Sequence, residues 1–71
     1  MTQASQQHIL VNGQPHEVSP GTTVAMLLET LSIRGRIAVE IDGEIVPRSG
    51  HAGRLLQAGE RVEIVHAIGG G

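Results

Sequence analysis

The stretch Ile9-Leu10-Val11-Asn12-Gly13-Gln14-Pro15-His16-Glu17-Val18 decides the fold. Three apolar residues run straight into Asn-Gly, and a type I′ turn needs positive φ at both of its central positions, which that pair supplies at least cost. The stretch therefore predicts a β-hairpin, with Gln14 to Val18 as the returning strand. Pro15 has no N–H to give, so it is tolerable near the start of a strand that lies at a sheet edge.

Reading outward, Ser19-Pro20-Gly21 breaks the strand, and Thr22 is placed to accept backbone N–H groups as the N-cap of a helix. Val24, Leu27, Leu28 and Leu31 then fall at i, i+3, i+4 and i+7, one apolar stripe, with Glu29 and Thr30 facing away. Such a stripe is core rather than a cofactor site. After Arg34-Gly35, Ile37, Val39 and Ile41 alternate with Ala38 and Glu40, the period of a half-buried strand. Asp42-Gly43 makes a second tight turn into Glu44-Ile45-Val46, which Pro47 ends.

Arg48 to Glu60 is less regular, with Gly50, Gly53 and Gly59, and predicts a turn of helix or loop around Leu55-Leu56. The last strand runs from Arg61 to about His66. Val62 and Ile64 share one of its faces, and Val65 shares the other with Arg61 and Glu63, so Val65 is expected to be exposed. The order strand, strand, helix, strand, short strand, strand describes an α+β domain, a sheet with one helix laid across one face. Residues 1–7, polar and without an apolar segment, read as a flexible leader. The domain occupies 8–66, and 67–71 is a flexible Gly-rich tail.

Composition narrows the possible functions. At 71 residues, a domain buries only about 60% of its unfolded surface, too little for a deep, water-excluding active site. With no Phe, Tyr or Trp, the core must be aliphatic. Without cysteine there is neither a disulfide framework nor a thiolate metal site, and any sulfur chemistry must use another atom. A formal net charge of -2 and scattered arginines make no basic stripe for a phosphate backbone. No apolar run is long enough to span a bilayer, and a cytoplasmic location is expected.

The histidines, His8, His16, His51 and His66, have no metal-ligand spacing, and His66 reads as a surface strand residue. No Ser-His-Asp set, P-loop or paired-carboxylate site is present, so intrinsic catalysis is not expected.

Element order, length and ending together resemble the ubiquitin-like β-grasp sulfur carriers, the ThiS type of thiamin biosynthesis in particular. The resemblance covers His8 to Gly71. It is carried by Ile9-Leu10-Val11-Asn12-Gly13, by Gly21-Thr22-Thr23-Val24 running into Leu27-Leu28, by Ile45-Val46-Pro47-Arg48, and by the glycines that follow Ala67-Ile68. The family hallmark is a terminal pair, here Gly70-Gly71. Gly69 is an additional glycine that lengthens the flexible segment.

The resemblance implies a mixed sheet of four to five strands with one main helix, and it makes Gly71 the reacting residue. It also implies a ThiF-like adenylating enzyme that uses ATP, a persulfide donor such as a cysteine desulfurase or rhodanese-like protein, and a thiazole synthase as acceptor. A terminal carboxylate is anionic at neutral pH and a poor acyl donor, so adenylation must precede sulfur transfer. Ile68, Gly69, Gly70 and Gly71 would enter the partner's active site. Extended, the stretch from His66 to Gly71 reaches roughly 20 Å at ~3.3–3.6 Å per residue. Ordering it costs on the order of 1–2 kcal/mol per residue, so affinity must come largely from the body of the domain.

Alternation selects Leu10 and Val65 as the docking surface, with Ile68 anchoring the base of the tail. All five basic residues are arginine, which leaves no lysine amine to attack an activated acyl end. Three other functions fit the same pattern: a molybdopterin-type sulfur carrier, a β-grasp regulatory or RNA-binding module, and a ubiquitin-like tag joined to lysines.

Overall fold

A computed structural model describes residues 6–66 of the chain. The expected leader (residues 1–5 of it) and the tail, 67–71, lie outside the described residues. The elements are β1 (Gln7–Val11), β2 (Gln14–Val18), α1 (Val24–Thr30), β3 (Ile37–Ile41), β4 (Glu44–Val46), a 3-10 turn at Arg48–Gly50, and β5 (Arg61–His66). Both hairpins turn as Asn-Gly and Asp-Gly require, with φ of 50° at Asn12 and 83° at Gly13, and 51° at Asp42 and 86° at Gly43.

The strands form one five-stranded sheet in the order β2-β1-β5-β3-β4. β5 runs parallel to β1 and antiparallel to β3, so the last strand fills the centre of a mixed sheet. β2 lies at an edge, where Pro15 stands opposite Leu10 without removing a donor from an inner ladder. β1 begins at Gln7, two residues before its apolar run and one before the expected domain start at residue 8. The Gln7 side chain donates to the Leu56 carbonyl at 3.2 Å.

The core is aliphatic. Ile9, Val11, Val18, Val24, Leu27, Leu28, Val39, Ile41, Leu56, Val62 and Ile64 are buried between α1 and one face of the sheet. Leu31 closes the helical stripe as its C-cap residue and is partly buried against that core. Beyond it, Ser32 takes the left-handed conformation with φ of 58°, and the Ile33 N–H donates back to the Leu28 carbonyl at 2.9 Å. This is a Schellman ending with serine where glycine is usual.

One local expectation is corrected. The N-cap of α1 is Thr23, whose side-chain oxygen accepts from the Met26 N–H at 3.2 Å, and not Thr22. Thr22 instead donates its hydroxyl to the Ser19 carbonyl at 2.7 Å. The helix starts late because the segment before it pairs with a distant one. The Leu56 N–H donates to Thr22 O, and the Val24 N–H donates to Arg54 O.

Of the helical turn or loop expected around Leu55-Leu56, the structure has the loop: Leu55 bridges Thr23, Leu56 fills the core, and a helical turn forms earlier in the segment, at Arg48–Gly50. His51, immediately after it, is buried, and its Nε2 lies 3.1 Å from the Val46 carbonyl. A carbonyl only accepts, so Nε2 carries a proton in this contact. His51 is thus a packing residue that locks the turn to β4.

Candidate functional site

The sheet face away from α1 carries Leu10 and Val65, the two residues that alternation selects as candidates for docking. Leu10, between buried Ile9 and Val11, points outward and is half-buried beside Pro15 of β2 and Arg61 of β5. Val65 is 58% exposed and stands opposite Ala38 of β3. Both share the outer face, but they are not neighbours. Arg61 marks Leu10's row, and Val65 lies four residues further along β5, roughly 13 Å away at ~3.3 Å per residue.

Between the two rows runs a third, formed by Glu63, Glu40 and Ile45 on adjacent strands. Ile45 is 69% exposed, more than Val65. Sequence reading places Ile45 in a return strand without assigning it a face, because a strand of three residues shows no alternation. The register supplies that face: Ile45 pairs with Glu40, so both look outward. A shallow depression bordered by Glu40, Asp42, Gly43, Arg61 and Glu63 lies next to this row.

β5 leads toward the tail. Its last residue, His66, pairs with Ile37 and is exposed. The described part of the central strand thus ends one residue beyond Val65. Ile68, Gly69, Gly70 and Gly71 lie outside the described residues. Among the described residues, no three His, Asp or Glu side chains converge on a point where a metal could sit. The His8–Glu17 pair, 3.7 Å apart, is solvent-exposed. No helix in the described residues is long and apolar enough to cross a membrane.

A five-stranded mixed sheet grasping one helix, with the chain's last strand at its centre, defines a ubiquitin-like β-grasp domain. The sequence profile of the ThiS family matches residues 9–71, and the chain belongs to that family. The crystal structure of the thiamine biosynthesis protein ThiS from Geobacter metallireducens is similar, with a TM-score of 0.76 and 30% identity, over 92% of this chain and 100% of that one. A solution structure of a thiamine biosynthesis protein from the same organism gives a TM-score of 0.72 and 29% identity, over 92% and 88% of the two chains.

Two curated relatives are thiazole synthases. The one from Magnetococcus marinus is 39% identical over 64 residues, and the one from Paramagnetospirillum magneticum 41% identical over 64 residues. Each alignment covers 89% of this chain but only 20% of the relative, so the chain spans about a fifth of the length of these proteins.

Proposed function

We propose that this protein carries sulfur for the thiazole ring of thiamin, as a thiocarboxylate on Gly71. The observation that carries this reading is the ThiS family match through the glycines 69–71, directly downstream of the central strand. In this account a ThiF-like enzyme spends ATP to join the Gly71 carboxylate to AMP, releasing pyrophosphate. The terminal sulfur of a persulfide donor then displaces AMP to give an acyl disulfide, a second thiol supplied by the partners cleaves its S–S bond and leaves as a disulfide with the donor cysteine, and the thiocarboxylate so freed passes its sulfur to a thiazole synthase. The two thiazole synthases that contain a stretch like this chain support that acceptor.

The protein's own part is mechanical. Glycine without a Cβ can thread a narrow channel and take backbone angles closed to other residues. The folded body stays outside, where its outer sheet face supplies affinity that a tail costly to order cannot. The protein is a co-substrate, and turnover belongs to its partners. With the adenylating enzyme and ATP, pyrophosphate release should depend on this protein and stop when Gly71 is deleted. Undiminished release from the deletion variant would refute the assignment.

A further inference from the structure

The Asn12 side chain does something that its turn does not require. A type I′ turn needs only positive φ at this position, which glycine supplies as well. Yet the Asn12 carboxamide closes on both backbone groups of Ile64, far along the chain. Oδ1 accepts from the Ile64 N–H at 2.7 Å, and Nδ2 donates to the Ile64 carbonyl at 3.3 Å.

Register explains why this matters. β1 ends at Val11, opposite Val62, while β5 continues to His66. Asn12 uses its own N–H on the Val62 carbonyl at 2.8 Å, and its side chain then takes the place of the next strand residue at Ile64. Ile64 is only 7% exposed, so backbone groups left without a partner there would be costly. Asp42, at the matching position of the other turn, also reaches β5, but at its opposite end, accepting from the Arg61 N–H at 3.0 Å. Ile64 presents a donor and an acceptor together, and an amide satisfies both where a carboxylate would satisfy one.

We propose that Asn12 is a positioning residue for the C-terminal tail. By extending the β1 side of the sheet to Ile64, it fixes the end of β5, two residues before His66, from which the tail enters a partner. The inference rests on the carrier reading above. Without the clamp, the strand end must be ordered anew at each docking event, which weakens productive binding and leaves the chemistry at Gly71 unchanged. Asn12 thus acts on KM and not on kcat.

Asn12→Gly tests this, since it keeps the turn and removes both bonds. Asn12→Asp keeps left-handed backbone preference and sets a second acceptor against the Ile64 carbonyl. Asp42→Gly is the control, loosening the other end of β5. In pyrophosphate-release assays with the ThiF-like enzyme, both Asn12 variants should raise KM about three- to tenfold at unchanged kcat, the worth of one or two net hydrogen bonds. Asp42→Gly should leave KM as it is. Amide exchange should show lost protection at Ile64 relative to Val62 in the Asn12 variants, and spectra at assay temperature should show all three variants folded.

Unchanged KM in a folded Asn12→Gly protein overturns the proposal, even where Ile64 loses protection. An equal rise for Asp42→Gly overturns it too, because general loosening of β5 would then suffice. Wild-type protein that supports no pyrophosphate release removes the carrier reading itself, a result distinct from any difference among variants.

Discussion

Glu40 and Glu63 are direct cross-strand partners at the centre of the outer sheet face. Like charges placed opposite each other on adjacent strands oppose pairing, by roughly 0.2–1 kcal/mol relative to a neutral pair. Glu63→Arg should therefore raise stability by about that amount, seen as a higher urea midpoint at unchanged m-value. The gain should shrink in high salt, because exposed charges are screened. A gain that is absent at low salt would show that the two carboxylates turn away from each other.

The helix start offers a second test. Thr23→Ala removes the side-chain acceptor for the Met26 N–H and should cost about 1 kcal/mol, typical of a lost N-cap. Thr22→Ala removes only an exposed hydroxyl contact with Ser19 and should cost about half of that or less. Chemical denaturation of the two variants side by side decides it, and a reversed order would return the cap to Thr22.

At the other helix end, Ser32 holds a backbone conformation that costs an L-residue roughly 1–2 kcal/mol. Ser32→Gly should relieve part of that. After the extra entropy of an unfolded glycine is subtracted, a net gain of about 0.5 kcal/mol is expected in thermal or urea unfolding. A clear loss would mean that the serine side chain stabilises the turn in a way its hydrogen-bond partners do not reveal.

Leu10→Asp and Val65→Asp probe the outer face as a docking surface. Neither residue belongs to the buried core, so both variants should fold. Each puts a charge into an apolar contact, and binding to the adenylating enzyme or the thiazole synthase should weaken at least about tenfold, equivalent to ~1.4 kcal/mol. Calorimetry or biosensor titration measures this. Because the two residues lie on separate rows, an effect at Val65 alone would confine docking to the tail end of the sheet. No effect at either would place docking elsewhere.

What the sequence could reveal was set by the range of the interactions. Both Asn-Gly and Asp-Gly turns, the helical stripe from Val24 to Leu28 and the alternation of β3 and β5 are written in neighbouring residues, and local spacing recovers them. The cap at Thr23 and the position of Leu55 depend on a bridge between segments more than thirty residues apart, which no local pattern encodes. Ile45 is similar: its outward face follows from its register with Glu40, and three residues are too few to display a period. Asn12 reads as a turn residue, and only the structure shows its side chain on Ile64.

The central claim is that sulfur is carried on Gly71. Intact-mass spectrometry of the protein after incubation with ATP, the ThiF-like enzyme, a persulfide donor and a thiol reductant tests it most directly. The account predicts a mass gain equal to exchanging one oxygen for one sulfur, located by fragmentation in the C-terminal carboxylate and lost again when thiazole synthase and its substrates are added. The chain has no cysteine to take up the sulfur instead. An unchanged mass with an active donor, or sulfur found anywhere other than on Gly71, would contradict it.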